Sequence, residues 1–306
     1  MNPVILSLVA QILHIALMVA VAPALAGLAL WLSARRGGRG GPPILAPWRE
    51  LIRLSRKTPV TVESVSFVAR LAPMVSLGAT LAAAALVPSF TLTMALAPLA
   101  DVLVIVALLG VARVATGLAA LDSGAAVPGL ATQTASARAA LAEPALMLAV
   151  VALALMGGST NLYAIIGQQR EGLLLPETAS ALVLTAMLAL VLVEASAAGD
   201  GLEDMFGGIE LAVLRMEAWL RQLVWIDLIG ALFFPVGTEA AANPLLAWLI
   251  GLAAWGAKLG LFILGLTAIQ AAWGRIAPRR LPELAGLAAL LALLAIIMVL
   301  ASAGMA

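Results

Sequence analysis

Long hydrophobic runs separated by short polar connections dominate the chain. Each run has about 20 residues or more, the length that a helix needs to cross a hydrocarbon layer of about 30 Å. Because lipid offers no hydrogen-bond partners to an open backbone, such runs predict α-helices. The pattern predicts eight membrane-spanning helices, at Val4–Leu32, Val65–Pro88, Ala97–Leu121, Ala139–Gly157, Thr178–Ala198, Ala218–Val236, Leu245–Trp273 and Leu281–Gly304. We therefore expect an all-α membrane protein with one membrane domain over residues 1–306.

The composition agrees with this pattern. Hydrophobic residues make up 63% of the chain, charged residues 11%, and the mean hydropathy is +1.11. These values exclude a water-soluble single domain. Cysteine is absent and His14 is the single histidine, which excludes iron–sulfur ligation and bis-histidine haem within the chain. We expect no cofactor and no metal in this chain, and any redox cofactor on a partner. No Walker loop, dinucleotide fingerprint or nucleophile elbow occurs.

Lysine and arginine concentrate in the connections on one side of the predicted spans. Seven of them lie between spans one and two, whereas the loops on the opposite side hold only Arg170. Since basic loops stay in the cytoplasm, both termini are expected on the outer side. The first span has no basic segment before it, so a cleavable signal peptide is not expected.

The first cytoplasmic loop, residues 33–64, predicts an amphipathic helix in its second half. Trp48 falls on the apolar side of this helix, and Arg49 and Arg53 fall on the basic side. Arg70 follows just inside the second span. This loop is either a positive-inside anchor or a docking surface for a partner.

The second cytoplasmic loop, residues 199–217, is acidic where basic residues are usual. A solvated loop needs no such concentration of carboxylates, so we favour a functional site over a simple exposed loop. Its candidate residues are Asp200, Glu203, Asp204 and Glu210.

Ionisable residues within the spans each cost about 2.5 kcal/mol or more at mid-membrane unless they are paired or hydrated. The set comprises Asp101, Arg113, Asp122, Glu143, Glu194, Asp227 and Lys258. Asp101 and Asp122 lie near span ends, where an interface role is the alternative. Glu194 and Lys258 lie in apolar sequence, so their partners must come from other helices. The arrangement fits either a proton relay or a static buried Glu–Lys pair.

Several short motifs follow one another in the order known from one protein family. They are Gly41-Pro42, Trp48-Arg49-Glu50, Phe67-Val-Ala-Arg70, Ala112-Arg113, Leu121-Asp122-Ser123-Gly124, Glu143-Pro144, Gly158-Ser-Thr-Asn161, Glu194, Phe234-Pro235-Val-Gly237 and Lys258. The chain resembles the membrane subunit that respiratory complex I, where it is called subunit 1, shares with group 4 energy-converting hydrogenases. Within this family it resembles the formate hydrogenlyase subunit 4 type.

This resemblance implies a subunit that docks a peripheral redox arm and connects it to antiporter-like membrane subunits. Hydrogenase-like large and small partner subunits would carry the [NiFe] centre and the iron–sulfur clusters. The resemblance further implies a bacterial or archaeal cytoplasmic membrane, and a docking role for Trp48, Arg49, Arg53 and Arg70. The residues expected on the proton or coupling path are Glu143, Glu194, Asp122 and Asp227, with Arg113 and Lys258 as counter-charges.

The chain also departs from the family pattern. The acidic loop lacks the usual Pro-Phe pair, Thr134 and Ala135 stand where hydrogenase relatives have Arg-Glu, and Gln270 replaces a glutamate. These differences favour the ion-coupling subunit of a hydrogenase-like complex, which is not an enzyme by itself. One alternative is the quinone-chamber subunit of a complex I. Another is an autonomous ion or solute transporter.

Overall fold

The computed structural model describes residues 3–58, 66–122, 126–170, 177–196, 206–237, 244–273 and 280–304. Within these ranges the regular elements are helical, which confirms the all-α prediction. They are α1 Pro3–Arg36, α2 Ala46–Ser55, α3 Phe67–Leu86, a short 3₁₀ turn Ala97–Leu99, α4 Val102–Asp122, α5 Ala126–Gly157, α6 Leu162–Arg170, α7 Glu177–Ser196, α8 Gly208–Phe233, α9 Pro244–Trp273 and α10 Leu281–Gly304.

Among the described helices, seven are long and apolar enough to cross a membrane, namely α1, α3, α4, α5, α7, α9 and α10. The protein is therefore a multi-pass membrane protein. The sixth predicted span falls within α8, which has 26 residues but carries Glu217, Arg221 and Asp227. Most of the second half of α8 is buried, because α1, α2, α3, α6, α7 and α9 pack against it. The eight predicted spans thus correspond to seven apolar helices and one charged, buried helix.

Residues 199–217 were predicted to form an acidic loop, but they are helical from Gly208 onward. The loop prediction is therefore wrong for the second half of this segment. Gly207 is extended and Gly208 adopts a positive φ of 58°, which glycine tolerates without strain. Glu210 then lies in the first turn of α8, where a negative charge favours helix formation. The candidates Asp200, Glu203 and Asp204 lie outside the described residues.

The amphipathic segment of the first loop is present as α2, which packs against α1 and α8. The Trp48 indole N–H donates to the Ala20 carbonyl of α1 at 3.1 Å. Gly27 of α1 allows the Ile44 carbonyl to come close, since a Cβ atom on Gly27 would lie 1.8 Å from that oxygen. The helix is therefore held against the bundle by specific contacts as well as by its apolar face.

A second close backbone contact joins helix α9 to the connection that follows α3. A Cβ atom on Gly251 would lie 2.1 Å from the carbonyl oxygen of Phe90. The Phe90 ring meets Trp248 edge to face, with ring centroids 5.9 Å apart. A glycine at position 251 therefore sets how closely α9 approaches the bundle.

We expect Gly251→Ala to destabilise the protein by about 1–3 kcal/mol, because backbone atoms of Phe90 cannot move aside as a side chain can. Gly256→Ala on the same helix is the matched control, since nothing lies within 4 Å of its added Cβ atom. Denaturant-induced unfolding in mixed micelles measures both variants. Equal stability of the two variants would show that the close approach at Gly251 does not constrain the fold.

Candidate functional site

Five charged side chains meet between α4, α5, α7 and α8. The Arg113 guanidinium of α4 pairs with Glu194 of α7, and its Nη1 lies 3.5 Å from Oε1 of Glu143 on α5. The second oxygen of Glu194 lies 3.9 Å from Nε of Arg221 on α8. Arg221 Nη1 lies 3.5 Å from Oε1 of Glu217. We call these five residues the central charge network.

The network extends from a more exposed end to a deeply buried one. The Glu143 side chain is 43% exposed, whereas the Glu217 side chain is 3% exposed. Glu217 and Arg221 are one helical turn apart, so both point to the same side of α8. The Thr80 hydroxyl of α3 donates to Glu217 at 2.9 Å and so adds a fifth helix to the network.

A cavity of about 620 Å³ lies beside the network, and all five charged residues contribute to its lining. Trp225 and Thr132 also line it, and their buried indole N–H and hydroxyl have no hydrogen-bond partner within the described residues. Pro144 leaves the Ala140 carbonyl of the cavity wall without its usual helical donor. A cavity of this size has room for water, and its charged residues offer hydrogen-bond partners. Water next to paired carboxylates is the medium that proton transfer needs.

Three of the sequence candidates belong to this site, namely Arg113, Glu143 and Glu194. The sequence analysis missed Glu217 and Arg221 as site residues. An oppositely charged pair spaced four residues apart at the start of an apolar run was the available signal. Because Glu217 is buried and Arg221 is partly buried inside the bundle, this pattern, which is common on protein surfaces, here forms part of the network.

Other candidates lie elsewhere. Asp122 accepts a hydrogen bond from the Ser66 backbone N–H at 2.8 Å and so ties the end of α4 to the start of α3. The Lys258 ammonium donates to the Phe234 carbonyl at 2.9 Å. Lys258 is therefore not the counter-charge of Glu194, because Arg113 and Arg221 occupy that place. Asp227 lies near Lys258 and outside the lining of the cavity.

Three of the predicted docking residues, Trp48, Arg49 and Arg53, are part of α2, and Arg70 is near the start of α3. Arg53 pairs with Glu50, and Nη1 of Arg215 on α8 lies 2.9 Å from the same carboxylate. The hydrogen bond from Arg53, together with the charges of Arg53 and Arg215, holds the pKa of Glu50 below its usual range. Arg49 and Arg70 are exposed. Helix α2 thus presents exposed basic residues beside the ion pair that connects Glu50 to α8.

We expect the Arg113–Glu194 pair to show strong energetic coupling. Arg113→Met leaves the carboxylates without their cation, and Glu194→Gln leaves the guanidinium without its partner, whereas the double variant removes both charges. Unfolding in mixed micelles should give a coupling energy of about 1–3 kcal/mol. The same cycle with Glu143→Gln should give a smaller value, because that carboxylate is more exposed. Additive effects of Arg113→Met and Glu194→Gln would contradict the pairing.

Comparison with known proteins places this geometry in context. The family model for NADH dehydrogenase matches residues 8–301. The chain is 28% identical over 247 residues to formate hydrogenlyase subunit 4 of Escherichia coli (strain K12), covering 76% of this chain and 80% of that protein. It is 27% identical over 225 residues to hydrogenase-4 component C of the same organism, covering 70% and 71%.

A solved structure shares the fold. A chain of the membrane-bound sulfane sulfur reductase, described as an archaeal respiratory membrane complex, superposes with a TM-score of 0.80 over 95% of this chain and 98% of its own length. Its sequence identity is 21%, so this likeness concerns the fold alone. The family match extends over nearly the whole chain and includes every residue of the central charge network. The chain belongs to the NADH dehydrogenase family of membrane subunits.

Proposed function

We propose that this chain is the membrane-anchoring and ion-coupling subunit of an energy-converting hydrogenase-like complex, of the formate hydrogenlyase or hydrogenase-4 type. The observation that carries this proposal is the central charge network beside its cavity. The similarity to formate hydrogenlyase subunit 4 and hydrogenase-4 component C supports the type of complex. The cytoplasmic membrane of a bacterium or archaeon is the proposed location.

The charge balance of the network suits proton exchange. Three carboxylates and two guanidinium groups form the network, and the Arg138 guanidinium lines the same cavity. The proton affinity of each carboxylate depends on the cations beside it. A change of field nearby would therefore move a proton between these carboxylates or between a carboxylate and water in the cavity. The network can therefore convert an electrical event into proton movement.

The network lies near the predicted cytoplasmic side, where electron transfer in a docked redox arm would change the electric field. Glu194 is near the C-terminal end of α7, and Glu217 is in the first half of α8. Both ends belong to the side that the basic loops predict to be cytoplasmic. Arg49 of α2 and Arg70 near the start of α3 are exposed, and both belong to the predicted cytoplasmic side, so we propose that this side docks the redox arm. Electron transfer in the arm then changes the field at the network.

The electron carriers belong to other subunits in this proposal. The sequence offers no cysteine and one histidine, so the chain has too few soft ligands for iron–sulfur or nickel–iron chemistry. We propose that the hydrogenase-like large and small subunits hold the [NiFe] centre and the iron–sulfur clusters. Antiporter-like membrane subunits would take part in moving protons or sodium ions.

The first test is to purify the tagged chain from its native membrane in mild detergent and to identify the accompanying proteins by mass spectrometry. We expect a nickel–iron large subunit, an iron–sulfur small subunit and an antiporter-like protein. NADH-oxidising and quinone-binding partners, with sensitivity to quinone-site inhibitors, would instead indicate a complex I. Recovery of the chain alone, with ion or solute transport in proteoliposomes, would overturn the proposal.

The second test uses Glu143→Gln and Glu194→Gln in the assembled complex reconstituted into vesicles. Each variant keeps the size of the side chain but removes a proton-binding group, so ion movement per electron should fall by about tenfold or more. Electron transfer itself should continue, since the redox centres are on partners. Glu283→Gln, on the exposed first turn of α10, is the matched control. Full ion coupling in both network variants would exclude the network as the coupling site.

A further inference from the structure

A second buried carboxylate lies between α8 and α9, outside the lining of the cavity. Asp227 is 4% exposed, and its Oδ1 accepts a hydrogen bond from the Trp255 indole N–H at 2.7 Å. Its Oδ2 is buried and has no hydrogen-bond partner within the described residues. An ionised carboxylate with one unpaired buried oxygen is a costly arrangement. A carboxyl group that carries a proton is much less costly there.

Lys258 is the cation near Asp227, but its ammonium does not pair with the carboxylate. It lies one turn beyond Trp255 on α9, so both side chains face α8. The ammonium donates to the Phe234 carbonyl at 2.9 Å, at the C-terminal end of α8, where the helix dipole favours a positive charge. Within the described ranges, Lys258 is the group whose charge acts on Asp227.

Gly230 leaves room for the lysine side chain between these two acceptors. Asp227, Gly230 and Phe234 follow one another along one side of α8, at spacings of three and four residues. A Cβ atom on Gly230 would lie 3.8 Å from Cδ of Lys258, so the lysine stem lies alongside this glycine. A flexible four-carbon stem can turn about this point toward either end.

We propose that Asp227 is a second proton-binding site, and that the Lys258 ammonium moves with its protonation. When Asp227 carries the proton, the ammonium binds the Phe234 carbonyl, as in the structure. When the carboxyl group releases its proton, the proton leaves past Lys258 to water at the exposed Phe234 end of α8. The carboxylate then draws the ammonium along Gly230 toward itself. Proton binding at Asp227 depends only on the surroundings of this side chain. A role of the bound proton in ion movement rests on the proposed function.

Infrared difference spectroscopy of the purified complex between acidic and alkaline pH tests this site. A protonated carboxyl group gives a carbonyl band that is distinct from carboxylate and amide bands. We expect such a band in the parent and in Glu283→Gln, and its loss in Asp227→Asn. Asparagine keeps an oxygen for the Trp255 N–H, so the variant should assemble. An unchanged band in Asp227→Asn would overturn the proposal.

Two further variants test the site without removing the carboxyl group. Trp255→Phe removes the N–H that Oδ1 accepts, so the same band should shift to higher frequency. Lys258→Met removes the counter-charge of the ionised form, so at one neutral pH the band should be larger than in the parent. An unshifted band in Trp255→Phe would overturn the assignment to Asp227, and an unchanged band in Lys258→Met would overturn the role of the lysine.

These spectra are recorded without turnover, so they separate this inference from the proposed function. If the network variants pump normally, the coupling proposal fails while the Asp227 band is unaffected. If the band is absent and the network variants fail to pump, the inference fails and the coupling proposal stands.

Discussion

The ion pair between Arg113 and Glu194 joins α4 to α7 inside a bundle whose other contacts are largely apolar. In lipid, apolar side chains gain little by meeting one another, because the surrounding hydrocarbon is equally apolar. Buried charges are different, since each one costs several kcal/mol unless it finds a partner. Pairing therefore selects the arrangement of α4, α5, α7 and α8 in which carboxylates and guanidinium groups meet, and close packing of the apolar side chains follows around it.

This constraint explains why α8 differs from its neighbours. A helix that carries Glu217, Arg221 and Asp227 is poorly suited to contact lipid, but it is suited to the inside of a bundle. The apolar helices around it contact the membrane, and polar groups such as Thr80 of α3 and Trp255 of α9 meet its charges. Helix α8 thus contributes two network residues from inside the bundle, whereas α4, α5 and α7 each contribute one network residue and are also apolar enough to span the membrane.

The hydrophobic pattern predicted the helices well, because lipid leaves the backbone few alternatives to a helix. It also indicated Arg113, Glu143 and Glu194, since charges in apolar runs need an explanation. The pattern did not predict which charged residues form pairs, because the order of helices along the chain does not reveal which helices are in contact. The expected role of Lys258 beside Glu194 was wrong for that reason. Glu217 was assigned to the acidic loop of residues 199–217, yet α8 begins at Gly208 and includes it.

The two groups of charges on α8 are close enough to influence each other. Arg221 and Asp227 are six residues apart, which corresponds to about 9 Å along a helix. The two side chains project to different sides of α8, so their charges lie farther apart than this axial distance. Two unit charges about 9 Å apart interact by about 2 kcal/mol at an effective dielectric constant of about 20. A proton gained by the central charge network would therefore change the free energy of proton binding at Asp227 by less than this amount. Since both groups are fixed to one helix, this influence needs no large movement of the protein. A rigid, charged helix inside an apolar bundle is sufficient to link events on its α7 side with events on its α9 side.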